Sequence, residues 1–387
     1  MSFTRSRAPC FTRAVALASC IVVPSSMMVF AACAASDETG APDADSRVIV
    51  PSIEAGDEAS SDAGAPESGT EAVPCAVGNL CSTPTPLARG AVTAMNGRSK
   101  NDVWASGTGG LLMHWNGQEW TALDSGVDEA FSSIFLTSDE TWAIAGMRVL
   151  RRTLDPSSVR TRGKVHRMGC GLSSIAVLAN GDAYLSLDTP VFAPQGLVRP
   201  VVKFDFDTGA LTDVPGPFLP SSNEEARLWI RASFMVPDKS LWIVGDRGTV
   251  ARLPISVTAD GGDGGAPSLG RGVMVPMGSQ ADLLAAWGSD EQLWAAGRNG
   301  TVLHFDGAEW HTEETGTKAT LNAIFGISPK DIWTAGDDGT VLHFDGNSWS
   351  PLSVGAYRGN LKAIWGSAAD DVWIGGEREM FHWGALP

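Results

Sequence analysis

Residues 321–349 read LNAIFGISPKDIWTAGDDGTVLHFDGNSW, and residues 283–310 read LLAAWGSDEQLWAAGRNGTVLHFDGAEW. Residues 361–383, LKAIWGSAADDVWIGGEREMFHW, begin a further copy, and residues 92–120, VTAMNGRSKNDVWASGTGGLLMHWNGQEW, carry an early one. Self-similarity on this scale decides the architecture, because each unit is one supersecondary element that cannot bury its apolar face alone. Most repeated residues must therefore serve the scaffold, and function is to be sought where the copies differ.

The aromatic after the acidic turn marks each copy: Trp104, Trp142, Tyr184, Trp242, Trp294, Trp333 and Trp373. Successive markers lie 38, 42, 58, 52, 39 and 40 residues apart, so the unit is near 40 residues and two copies carry insertions. Within a unit, residues 361–365, 371–374, 340–344 and 349–352 exemplify four short apolar runs, separated by Ser-Pro-Lys-Asp, Gly-Asp-Asp-Gly and Asp-Gly-Asn-Ser turns. No sustained 3.6-residue period runs through the repeats, which disfavours helix. Four antiparallel strands per unit and seven markers predict an all-β, seven-bladed β-propeller. The last unit stops after its third strand, four residues from the end of the sequence. Residues 75–90 are expected to supply the missing strand and close the ring, and Pro84 and Pro86 suit an outer edge, where a missing N–H costs little.

The units L-x-A-I-W-G, D-V-W-x-x-G and G-T-V-L-H-F-D-G-x-x-W resemble those of secreted bacterial propellers with Asp-box (sialidase-type) and photosystem-assembly-factor-like repeats. The resemblance covers roughly residues 80–387 and implies a shape rather than a reaction. The hairpin Asp345-Gly-Asn-Ser-Trp349 is one residue tighter than the Asp-box.

The chain has 387 residues and a formal net charge of −16. Arg5, Arg7 and Arg13 precede an apolar stretch over residues 14–32, the pattern of an export signal over residues 1–33. The run Val29-Phe-Ala-Ala-Cys33 resembles a bacterial lipobox, which implies lipid modification of Cys33; a plainly cleaved signal and a retained anchor are the alternatives. Residues 34–74 hold ten acids and one base in an Ala/Gly/Ser/Pro-rich background, a self-repelling linker expected to be disordered. The propeller domain is then residues 75–387. Its acidic balance argues against non-specific nucleic-acid binding. Cys75 and Cys81 flank the closure segment, and in an oxidising compartment a disulfide between them is expected.

His114, His304, His343 and His382 share one slot on the third strand. Equivalent positions on different blades are spread around a ring and cannot converge on one ion, so no metal site and no cofactor are expected. The acids Asp102, Glu140, Asp182, Asp331 and Asp371 are read as turn residues that bind local backbone N–H groups. No serine elbow, phosphate loop or zinc motif is present in the sequence.

Two features break the repeat. Residues 147–168 gather Arg148, Arg151, Arg152, Arg160, Arg162, Lys164 and Arg167 against one acid, Asp155, giving a candidate anion-binding edge whose plainer reading is a solvated blade edge. Insertions at residues 187–200 and 215–229 fall on one face of the ring, and Trp229 is the candidate contact of that face. The expected function is an exported, lipid-anchored, monomeric binding or scaffold module at the cell envelope, in the outer membrane or at the cell surface, docking an envelope protein or a polysaccharide. It is expected not to be an enzyme. The alternatives are a glycan-acting hydrolase or lyase with its site in the central funnel, and a structural assembly factor.

Overall fold

The computed structural model describes residues 78–87, 90–153, 160–162, 165, 171–188, 197–198, 200–214, 219–220, 229–257, 266–289 and 292–384. Both expected boundaries, at residues 33/34 and 74/75, lie outside the described residues. The chain is an all-β, seven-bladed propeller. Blade one is Val92–Ser99, Asp102–Gly107, Leu112–Trp115 and Trp120–Leu123. Blade two is Phe131–Leu136, Glu140–Ala145, Arg148–Thr153 and Arg160–Arg162. Blade three is Leu172–Val177, Ala183–Leu187, Val201–Phe204 and Leu211–Asp213. Blade four is Ile230–Val236, Ser240–Gly245 and Val250–Val257, whose third strand carries two short outer partners, Pro267–Leu269 and Val273–Met274. Blade five is Leu283–Ser289, Gln292–Gly297, Val302–Phe305 and Trp310–Thr312. Blade six is Leu321–Ser328, Asp331–Gly336, Val341–Phe344 and Trp349–Pro351. Blade seven is Leu361–Ala368, Asp371–Gly376 and Met380–Trp383, completed by Leu80–Ser82.

Closure occurs as the truncated last repeat requires. Leu80, Cys81 and Ser82 stand opposite Trp383, His382 and Phe381, and the Thr83 N–H donates to the Met380 carbonyl at 2.9 Å. A closed ring removes two open ends that a solenoid would have to cap.

The second strand of each blade is buried on both faces, because neighbouring blades cover both. Its marker aromatic reaches into the next blade. Trp373 packs with Val92, Val103 and Met113 of blade one, Trp333 with Val372, Ile374 and Phe381 of blade seven, and Trp142 with Leu185 and Val202 of blade three. Seven apolar clusters thus correspond to the seven blade interfaces. Each buried indole removes roughly 150–250 Å² from water, which makes these contacts the main cohesion of the ring.

Two backbone features shape the face where the second strand turns into the third. Gly107, Gly245, Gly297 and Gly336 end the second strand flush against a carbonyl just before the first strand. A Cβ there would lie 2.0–2.1 Å from that oxygen, so the sequence holds glycine in each. Two residues after the glycine that ends the second strand, the chain enters the left-handed region: φ is 53° at Arg247, 56° at Asn299, 58° at Asp338 and 64° at Arg378, the last following Gly376. Arginine is disfavoured there, and such strain concentrates at functional faces.

Candidate binding face

The residue after the first apolar position of each inner strand faces the central channel. Around the ring it is Thr93, Ser132, Ser173, Arg231, Leu284, Asn322 and Lys362. No two adjacent blades except the second and third share a residue here, although the flanking sequence repeats. Several of these side chains also stitch blade to blade. The Thr93 hydroxyl donates to the Phe131 carbonyl at 2.6 Å, Ser132 to Leu172 at 3.1 Å, and the Asn322 amide to Leu361 at 3.1 Å.

Arg231 is the most elaborated position. Its Nε and Nη2 donate to the two oxygens of Asp246 at 2.8 and 2.9 Å, and its guanidinium lies 5.5 Å over the Trp229 ring. The bonds to Asp246 are the chief reason its pKa is raised above the ordinary arginine value, with Asp282 and Asp188 adding to it. Across the ring on blade seven, Lys362 Nζ lies 3.8 Å from Glu377, a loose pair. Tyr357 donates to the Glu377 carbonyl at 2.9 Å, and burial followed by the Glu377 charge pushes its phenol up to about 12.

The two sequence insertions meet. Leu197–Val198 pairs antiparallel with Leu219–Pro220, and the ribbon's ends are joined where the Ile230 N–H donates to the Asp188 carbonyl at 3.3 Å. Both segments therefore leave the same face of the ring, and Trp229 immediately precedes the first strand of blade four. Residues 189–196, 199, 215–218 and 221–228, which join the ribbon to the blades, lie outside the described residues.

Of the basic edge, Arg148, Arg151, Arg152 and Arg160 each have a partner of their own. Arg148 pairs with Glu129 at 3.0 Å, and Arg160 with Asp207 at 3.3 Å. Arg151 bonds Glu140 and stacks 5.0 Å over Trp142, while Arg152 lies 5.1 Å over Trp104. Arg162 is in the outermost strand opposite Val149; Lys164 and Arg167 lie outside the described residues. Cys81 sits in the closure strand opposite His382, and Cys75 and Cys33 lie outside the described residues.

The repeated acids and histidines correct one detail of the sequence reading. These acids were expected to hold backbone N–H groups in the turn. In blades one and six the acid instead joins two side chains of its own blade: Asp331 Oδ1 accepts from Trp333 Nε1 at 2.9 Å and bonds His343 Nε2 at 2.8 Å, and Asp102 does the same with Trp104 and His114. The acid at the start of the second strand thereby satisfies the buried indole N–H in these blades, whereas those of Trp242, Trp294 and Trp373 have no partner among the described residues. In blade two Glu140 serves Trp142 and Arg151, and in blade three Asp182 serves Lys203 at 2.6 Å. Each histidine stays on its own blade, and no group of three His, Cys, Asp or Glu residues able to hold a metal occurs among the described residues.

The channel-lining cation that the sequence reading did not single out is Arg231. The signal was present in the sequence, as the ring position that varies between otherwise matching copies.

No family model matches the chain, and no curated protein matches it. Solved structures do. A YCF48 bound to D1 peptide superposes with a TM-score of 0.59 at 14% identity, covering 79% of this chain and 97% of that one. The virginiamycin B lyase of Staphylococcus aureus gives 0.58 at 13%, covering 79% and 98%. The WD40 β-propeller domain of Doa1 gives 0.53 at 12%, covering 79% and 95%. At these identities the likeness is one of fold, shared by proteins with binding roles and by a lyase.

Proposed function

We propose that this chain is an exported, lipid-anchored propeller that binds a protein or glycan partner at the cell envelope and performs no covalent chemistry. The observation that carries this reading is the pairing of the two insertions with each other, beside a ring of channel residues that differ from blade to blade. Rigid blades present variable residues and inserted loops on one face, which is how a repeat scaffold makes a specific surface. A similar fold, that of YCF48, holds a peptide.

The anchor follows from the lipobox-like run ending at Cys33, with residues 34–74 as the tether and the disulfide between Cys75 and Cys81 securing the closure strand. The test is crosslinking in cells of the intact protein, with partners identified by mass spectrometry, beside Trp229→Ala and Arg148→Glu strains. A specific partner lost in Trp229→Ala places the contact at the ribbon. Loss in Arg148→Glu instead moves it to the basic edge. Recovery of neither protein nor polysaccharide overturns the proposal. Metabolic lipid labelling that persists after Cys33→Ala would remove the anchor.

A further inference from the structure

Among the twenty described residues lining the central channel, Arg231 and Lys362 are the charged ones, and both are cations. This occurs in a domain whose sequence from residue 75 onward is net acidic. The two stand on blades four and seven, three steps apart in a ring of seven and so nearly opposite. They also divide the wall by chemistry. Blades one to four contribute Thr93, Ser132, Ser133, Ser173, Ser174 and Ser233; blades five to seven contribute mainly aliphatic carbon, including Leu284, Ala285, Ile324 and Ile364.

The hydroxyl side has a definite polarity. Thr93, Ser132 and Ser173 donate their protons to the carbonyls of Phe131, Leu172 and Ser186, so their oxygens meet the channel as acceptors. The cations supply the donors. Asp246 takes Nε and Nη2 of Arg231 and fixes the fork, leaving Nη1 without a partner among the described residues. Lys362 holds Glu377 only at 3.8 Å, beyond hydrogen-bond distance. The cavity is about 320 Å³, within the range of small-ligand sites.

We infer that the channel binds a small sugar acid, a uronate-type ligand. Its carboxylate takes the free end of the Arg231 guanidinium, a planar donor suited to that group. Its hydroxyl protons meet the acceptor wall of blades one to three, Lys362 donates to oxygens on its far side, and its C–H face lies on the alanines and isoleucines of blades five to seven. The inference rests on the reading of this face as a binding surface and names what enters beneath the rim.

The test is calorimetric titration of the intact protein with D-glucuronate, D-glucose and cyclohexanecarboxylate. Glucose lacks the anion and cyclohexanecarboxylate lacks the hydroxyl donors. Saturable glucuronate binding is expected, at least about tenfold tighter than either control, since a hydrogen bond to a charged group is worth that much. Lys362→Gln and Arg231→Gln, each checked for an unchanged melting profile, should each weaken it by about tenfold. Lys362 is half-exposed and loosely paired, so its variant will fold. No glucuronate binding, equal binding of either control, or indifference to both substitutions overturns the inference. If glucuronate fails while the crosslinked envelope partner persists, the channel site falls alone; if both are absent, the reading of the whole face falls with it.

Discussion

Trp294 and His304 stack at 4.0 Å with their planes 7° apart, and neither Trp294 Nε1 nor His304 Nε2 has a hydrogen-bond partner among the described residues. In blades one and six the equivalent nitrogens share an aspartate. Blade five has Gln292 in that slot. Burial lowers the His304 pKa, with His311 adding to the effect.

Gln292→Asp should therefore stabilise the protein by about 1–2 kcal/mol at neutral pH, by satisfying both nitrogens. In the native protein a depressed His304 pKa means that its contribution is full above about pH 6.5 and is lost as pH falls through the folded value. The aspartate should reverse that sign by raising the His304 pKa. Denaturant midpoints and an NMR titration of the imidazole read both effects; an unchanged imidazole pKa would show that residue 292 does not reach it.

Asp102 and Asp371 contribute to the acid limb. Burial pushes both carboxyls up, but hydrogen bonds from His114, Arg98 and Trp104 to the first, and from His382 and Ser367 to the second, outweigh it and hold both below the ordinary value. A carboxyl depressed by folding stabilises above its unfolded pKa, near 4, and that stability drains as pH falls through the folded value. The melting temperature should fall steeply below about pH 4. The Asp102→Asn, Asp371→Asn double variant should start lower and show a shallower acid limb. An acid limb of native steepness would assign the effect to other groups.

Trp333 is fully buried between blades six and seven, whereas Trp383 is only partly buried. Trp333→Ala should cost about 3–5 kcal/mol, and the same change at Trp383 distinctly less. Urea unfolding of the two variants compares them directly, and equal losses would contradict the interface account.

Closure depends on few bonds, so it is sensitive to each. Thr83→Pro removes the N–H that donates to Met380 and should cost roughly 1–3 kcal/mol. Hydrogen exchange should show the loss first in Met380–Trp383, the strand left at an open edge. Uniform loss across all blades would mean that closure and the rest of the ring unfold as one unit.

The repeat, its near 40-residue period, the blade count and the closing strand were all readable from residues 80–387, because strand patterning and turn chemistry are local properties of the chain. The shared histidine slot was legible as scaffold for the same reason. What the sequence did not reveal is which residues face one another across the ring. Arg231 and Lys362 are 131 positions apart, yet both line one channel, because blades four and seven are brought opposite by closure. The pairing of Leu197–Val198 with Leu219–Pro220 is likewise set by the tertiary structure, since it joins two insertions that blade three's third and fourth strands separate. Periodicity fixes how each blade folds upon itself. Only packing the blades into a ring decides which variable side chains meet, since that depends on distances no local pattern encodes.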